Sequence, residues 1–385
     1  MVGGIAARQT GGKGSVYRAA LGLTLGVACA WLLAAGCGDA EGADELKGPG
    51  GTTSLGGASS SGGAGGLGGT GGVVVGGAST GGFAPVSDPY VPPTTNIETW
   101  TGTLPPGGLL DPEVLVYYPA EPAAGETFPL MVFAHEEGLG EDDYAGTLSH
   151  IARFGYVVAS VEYLWNPLDE DHHAPNDWMR TAIELLTTDP PEAIGDIVDG
   201  ERIAVSGHGI GGKAAIWMVL EEADVQALVA FDPIDDQRGL IHAPKRPSLT
   251  PELMGWMAVP SLYLATEYGP EGIANCVPHE SNACRFFEET PDGVPAWLAV
   301  LEGFGHLQMV DGFNCVACFT CNRGEQQDHV PTQVVARGLT VAFLEYTLRG
   351  KLGYLPYLEG AELEALRAEH RVLDDQEQFG FCAEQ

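Results

Sequence analysis

The sequence predicts an α/β domain: a mostly parallel central sheet with helices on both faces. Two observations carry that prediction. Short apolar, β-branched runs of strand length alternate with segments of helical periodicity between residues 114 and 348. In the middle of that alternation, Ser206-Gly207-His208-Gly209-Ile210-Gly211-Gly212 joins a strand-like run, Arg202 to Val205, to a helix-like run, Lys213 to Glu222. A strand, a tight glycine turn and a helix form a place where chemistry is often done.

The chain divides by composition. Residues 1–36 carry Arg8, Lys13 and Arg18 without any acid, followed by an apolar run from Ala19 to Ala35, the pattern of an export signal. It ends in Leu33-Ala34-Ala35-Gly36-Cys37, which resembles a bacterial lipobox with Ala34 in place of the usual leucine. That resemblance implies cleavage before Cys37, lipid on its thiol, and an exported protein of the bacterial cell envelope anchored to a membrane by its lipid. An uncleaved membrane helix or a plain secretory signal is the alternative, because the apolar run is near the minimum that spans a bilayer. Residues 37–94 are dominated by Gly, Ser, Thr and Ala, with Val73 to Val75 as the main large apolar group, and cannot bury enough surface to fold. A glycine-rich coil of this kind spans about 35–45 Å and acts as a tether. Residues 95–350 hold the α/β domain, and 351–385 form an acidic C-terminal extension with one helical stretch, Glu359 to His370.

Within the domain, Val114 to Tyr118, Pro129 to Ala134 and Tyr156 to Val161 read as strands. Asp142 to Phe154 lies between the last two as a helix whose acidic start suits a positive helix terminus. Asn176 to Thr188 is helical by the spacing of Trp178, Ala182, Leu185 and Leu186, and Pro190-Pro191 stops it. Strands follow at Ile203 to Val205, Ala227 to Phe231, Ser261 to Ala265 and Ala296 to Leu301. A helix from Thr332 to Leu348, with Val335, Leu339, Val341, Phe343 and Leu344 apolar, closes the domain.

The formal charge is −34, and −37 once the three basic residues of the signal are removed. Such a surface repels phosphate backbones, so nucleic acid is excluded as a partner. Beyond Cys29 and Cys37, six cysteines remain: Cys276, Cys284, Cys315, Cys318, Cys321 and Cys382. An even number in an exported chain favours disulfides, and Cys276 and Cys284 are close enough to close a small loop. The Cys315, Cys318, Cys321 cluster could instead hold zinc or an iron–sulfur centre with Cys382 or His306, but an oxidising compartment competes for the thiols, and no metal or cofactor is expected. Asp169-Glu170-Asp171-His172-His173 has cation-ligand types but reads as a solvated charge run, with Trp165 and Trp178 on either side as groove-lining candidates.

The glycine turn admits two readings. As G-x-S-x-G it has Gly207 and Gly211 in place, with Gly209 where the serine belongs. As G-x-G-x-x-G it matches at Gly207, Gly209 and Gly212, and Asp232 follows at the spacing of a dinucleotide site. Such a fingerprint normally opens its domain on the first strand, whereas several strand and helix units come first here.

The order Tyr117-Tyr118-Pro119, Val132-Phe133-Ala134-His135, the Gly207 to Gly212 turn, Phe231-Asp232-Pro233-Ile234-Asp235 and Gly305-His306-Leu307-Gln308-Met309 resembles the α/β-hydrolase superfamily. More narrowly, it is similar to the chlorophyllase-like esterases, which overlap with platelet-activating-factor acetylhydrolase-like and polyester-cleaving hydrolases. The resemblance implies a carboxylic ester hydrolase triad: a serine nucleophile at position 209, an acid at Asp232 and a base at His306, with Glu267 as an alternative acid. The Ile210 backbone N–H and the positions of Glu136 and Glu137 would form the oxyanion hole.

Two departures stand out. Gly209 has no side chain to attack an ester, and Ser206, three residues earlier, belongs to the strand end. Glu136-Glu137 replaces the usual glycine and apolar residue, setting carboxylates where a developing oxyanion needs a positive field. Glycine also relieves the strain of an elbow, about 1–3 kcal/mol for other residues. The expectation is therefore a non-catalytic descendant that binds an ester or lipid-like small molecule, or a protein partner, in the old cleft. A weakly active hydrolase using water activated by His306 and Asp232, and a dinucleotide-binding turn, are the alternatives.

Overall fold

The computed structural model describes residues 85–105, 112–163, 171–222, 224–235, 247–269, 276–278, 281–311 and 330–373. The signal and most of the tether, including Cys37, lie outside those residues, as do Trp165, Asp169, Glu170, Cys315, Cys318, Cys321 and Cys382.

The elements in chain order are β1 (Ile97–Thr103), β2 (Glu113–Pro119), β3 (Phe128–Ala134), α1 (Ala145–Arg153), β4 (Val157–Val161), α2 (Ala174–Thr188), β5 (Val198–His208), α3 (Ile210–Glu221), β6 (Ala227–Phe231), β7 (Ser261–Thr266), α4 (Ala283–Glu288), β8 (Ala296–Leu301), α5 (Val330–Thr347) and α6 (Ala361–Ala368). The eight strands form one sheet in the order β1-β2-β4-β3-β5-β6-β7-β8. Pairing is antiparallel from β1 to β2 and from β2 to β4, and parallel from there to β8. This is the α/β-hydrolase fold.

Alternation along each strand divides the core into two layers. Leu130, Val132 and Ala134 of β3 face one side with Val205 of β5 and Ala230 of β6, covered by Met179 and Leu186 of α2 and Ile216 and Val219 of α3. Met131 and Phe133 face the other with Val229 and Phe231, covered by Leu148 and Ile151 of α1 and Leu339 and Phe343 of α5. Every residue of β3 is buried, as a central parallel strand covered on both faces requires.

Three segments depart from the sequence reading. β1 was missed because its polar alternation, with Glu98, Thr99 and Thr101, is that of an edge strand with one face in water. β5 begins at Val198, four residues before the apolar run, through Asp199, Gly200 and Glu201. The acidic stretch after Gly350 packs onto the domain as far as Leu373: Tyr354, Leu358, Leu363 and Leu366 are buried, and Val372 bridges Leu301. At the other end, Tyr90 stacks edge-on against Tyr357, and the Pro89 carbonyl lies 2.9 Å from His150 Nε2. Acidity of the surface positions hid the apolar period beneath it.

Candidate active site

The loops that matter leave the C-terminal ends of β3, β5, β6, β7 and β8, where a parallel sheet opens to solvent. β5 stops at His208 and α3 starts at Ile210, so Gly209 alone makes the turn. Its φ of +55° and ψ of −115° are those of a strained elbow. The turn is also tight: a Cβ on Gly211 would lie 2.2 Å from the Ala134 carbonyl oxygen, and one on Gly207 would lie 2.2 Å from that of Gly211. These glycines are used to press strand, turn and helix together. Ser206 is fully buried in β5, one register from Ala134, as its place in the sequence suggested.

Asp232 follows β6 with φ +41°, an unusual conformation for a residue with a side chain. Its carboxylate is held by three donors. Thr266 Oγ1 donates to Oδ2 at 2.6 Å, the Thr266 N–H to Oδ1 at 3.1 Å, and His306 Nδ1 to Oδ2 at 2.9 Å. His306 opens a one-turn helix after β8 and is 2 % exposed. Glu267, the alternative acid, instead accepts the Gly303 N–H at 2.7 Å, bracing the turn after β8. Asp232 is thus the acid that meets the histidine.

Glu136 is where sequence reasoning stopped short. Its side chain reaches across the end of β3, and Oε2 accepts the Ile210 N–H at 2.7 Å. The same oxygen lies 1.5 Å from where a Cβ on residue 209 would stand, a bonding rather than a van der Waals separation, with His306 Cε1 at 3.1 Å from that point. The backbone donor expected for an oxyanion is therefore engaged by a carboxylate from within the chain, at a helix N-terminus that favours negative charge. Glu137 does not share this role; its Oε1 is 3.7 Å from His172 Nε2.

His306 now stands between two carboxylates, Asp232 on Nδ1 and Glu136 Oε2 at 3.8 Å from Nε2. That Nε2 is buried and makes no hydrogen bond with the described residues. Burial alone would lower its pKa, but Asp232 and Glu136 outweigh burial and raise it to about 9. At neutral pH the ring is an imidazolium.

Behind it lies a network the sequence did not reveal. The Glu136 N–H donates to Tyr144 Oη at 3.2 Å, and Tyr144 Oη lies 2.7 Å from His208 Nδ1. The His208 ring packs 4.5 Å from that of His306. Burial, then the charge of His306, holds the His208 pKa well below its ordinary value, so His208 is neutral and shares a hydrogen bond with the tyrosine hydroxyl. The only sequence signal was His208 beside the elbow; Tyr144 sits in an acidic turn that gave none.

The charge run before α2 is less solvated than its composition suggested. His172 is buried, its Nδ1 3.4 Å from Lys213 Nζ, and burial followed by the lysine charge lowers its pKa to about 3. His173 pairs at the surface with Asp177 and Glu221, and Trp178 packs against the core. Among the described residues, no three side chains of ligand type converge on a metal position. A cavity of about 530 Å³ lies near the starts of β3 and β4, beside Phe128, Gly155, Arg153 and Arg349, at the end of the sheet opposite Gly209.

Residues 105–365 match the chlorophyllase family. Chlorophyllase-1 of Arabidopsis thaliana is 26 % identical over 252 residues, covering 60 % of this chain and 75 % of that protein. Chlorophyllase type 0 of Chenopodium album is 24 % identical over 263 residues, covering 62 % and 72 %. Cutinase est2 of Thermobifida alba is 25 % identical over 171 residues, 43 % of this chain and 50 % of that one. With that match over most of the chain and the strand order described above, this chain belongs to the chlorophyllase family of α/β hydrolases.

Proposed function

We propose that this chain is an exported, lipid-anchored member of its family that does not hydrolyse carboxylic esters by the serine route and uses the old cleft to hold an ester or lipid-like small molecule. The carrying observation is the Glu136 carboxylate. It occupies the space of a residue-209 side chain and takes the Ile210 N–H, so neither a nucleophile nor that oxyanion donor is open to an ester carbonyl. Export is supported by the basic and apolar signal ending at Cys37 and by the disulfide-bonded state of Cys276 and Cys284.

Direct activation of water by His306 is the weaker reading, because an imidazole raised to about 9 is mostly protonated at neutral pH and its Nε2 is buried. The dinucleotide reading meets the same carboxylate: a pyrophosphate would need the helix N-terminus that Glu136 fills, and the two negative charges repel.

The purified protein is expected to leave p-nitrophenyl butyrate intact and to resist a fluorophosphonate probe. Turnover or labelling well above a heat-treated control would end the proposal. Gly209→Ser alone should stay inactive, because its side chain meets Glu136, whereas Gly209→Ser with Glu136→Gly should gain measurable esterase activity from the retained Asp232–His306 pair.

A further inference from the structure

The cavity of about 530 Å³ at the end of the sheet opposite Gly209 has the size of a small-molecule site, and its charged side chains come from different segments of the chain. Lys and Arg are scarce here, 18 against 52 Asp and Glu, yet Arg153, Arg349 and Lys351 all reach this one space. Arg153 ends α1, and Arg349 and Lys351 follow α5. The loop between β2 and β3 lines the same space with Glu121 and Glu126, both exposed. We propose that this cavity binds a short amino-carboxylate, a zwitterion the size of a di- or tripeptide, with its carboxylate on Arg153 and Lys351 and its ammonium toward Glu121 and Glu126. The site lies away from the old cleft, so it stands whether or not the serine route is closed.

The charges that the fold uses for itself define those left for a ligand. Glu345, buried in α5, accepts the Tyr156 hydroxyl at 2.9 Å, Arg349 Nη1 at 2.7 Å and Lys351 Nζ. The Arg349 guanidinium also donates to the Phe154 carbonyl at 2.9 Å and to that of Gly155, and lies 4.5 Å over the Tyr156 ring. Arg349 is therefore part of the wall. One buried carboxylate against two cations leaves a positive charge over, and Lys351, with 47 % of its side chain exposed, is the cation that can turn to a ligand. Arg153 is less engaged still. Its Nη1 donates to the Thr95 carbonyl at 2.8 Å, and its guanidinium makes no ion pair among the described residues. A half-buried guanidinium fork without a carboxylate matches a ligand carboxylate, which it can hold through two parallel hydrogen bonds.

The acids select the other end of the ligand. Glu126 accepts the Ala123 N–H at 2.9 Å, and neither Glu126 nor Glu121 pairs with a cation among the described residues. Two uncompensated positive charges from the ends of α1 and α5, and two negative ones from the β2–β3 loop, disfavour a plain anion and a plain cation alike, while a zwitterion satisfies both. The same space is lined by the rings of Phe128 and Phe154 and by Thr94 and Asn96, whose hydroxyl and amide groups match the N–H and C=O groups of a peptide backbone. Three extended residues reach about 10 Å, so the two ends of such a ligand can meet charges that stand on separate segments.

The test is a ligand-observed NMR titration of the intact chain at neutral pH with trialanine, N-acetyl-trialanine and trialanine amide. Trialanine should bind, and its amide should bind more weakly by about tenfold or more, because hydrogen bonds to a charged group are lost. The acetylated peptide should be weaker by about threefold, since the loop carboxylates are exposed to water. The capped peptides put the question to the wild-type chain, so the answer does not depend on a variant folding. Arg153→Gln should then bring trialanine down to the level of its amide, and Glu121→Gln combined with Glu126→Gln to that of the acetylated form. Equal binding of all three peptides, or no binding of trialanine at millimolar concentration, would overturn the proposal. So would a loss caused by the amide cap alone, or tighter binding of inorganic phosphate than of trialanine, because either would make the cavity a plain anion site.

Discussion

Asp232 and His306 share a hydrogen bond of 2.9 Å, while on the other side of the same imidazole the Glu136 carboxylate fills the space beside Gly209. The first half of the site is built into the sheet. Asp232 at the end of β6 ties Thr266 of β7 to His306 beyond β8, and all three are buried. The second half is a turn that carries strain and a side chain that arrives from the end of β3. The difference teaches that the Asp232–His306 pair carries structural weight, because removing one partner leaves an unpaired buried charge, whereas glycine at the strained position 209 costs the fold nothing.

The sharpest way to break that comparison is Asp232→Ala. It leaves the His306 ring buried with its principal charge partner gone and is expected to cost about 3–5 kcal/mol in urea unfolding. A loss under 1 kcal/mol would mean that the pair does not brace the sheet ends. Thr266→Val, removing only the hydroxyl donor to Asp232, should cost about 1.5–3 kcal/mol, the range for a hydrogen bond to a charged group. Its effect should not add to that of Asp232→Ala, since both remove the same contact.

The elbow half should respond to an added side chain. Gly209→Ala places a Cβ against Glu136 Oε2 in a positive-φ conformation and is expected to destabilise by about 1–3 kcal/mol. Combining it with Glu136→Gly should recover part of that loss, because the collision goes and the backbone strain remains. Full recovery would mean that the conformation itself is unstrained.

The same contrast explains what could be read in the sequence. Ala227–Phe231 has the bounds expected from its apolar run, because a strand buried on both faces writes its limits in hydrophobicity, and Ala296–Leu301 keeps its expected bounds although its first half is only partly buried. Asp232 and His306 were named from the family pattern the sequence resembles, and the structure brings them within 2.9 Å, Asp232 directly after β6 and His306 five residues after the end of β8. Glu136 was named as an oxyanion position, but its direction was not legible: a carboxylate after a strand can point either way, and the Ile210 N–H and His306, 74 and 170 residues on, draw it inward. Tyr144 gave no signal at all, since it contacts His208 from a turn whose composition is acidic. Chemistry carried by a single residue was visible, and chemistry assembled across the ends of four strands was not.

The smallest effect is the most diagnostic of how the two halves are coupled. The His306 pKa is raised from 6.5 to about 9 in the folded chain, so its protonated form favours folding. A raised value contributes stability that is fully present below pH 6.5 and is lost as pH rises through about 9. Glu136→Gln removes one of the two carboxylates that raise it, so the His306 resonance should titrate at lower pH by NMR. The stability of the variant should then begin to fall earlier in that window. Apart from a constant offset, the gap between the wild type and Glu136→Gln should be widest near pH 6.5 and should close as pH passes about 9, when neither protein holds the extra proton. A gap that stays flat across that window would mean that Glu136, 3.8 Å from Nε2, contributes no charge to the imidazole, and that the Asp232 contact alone sets its protonation.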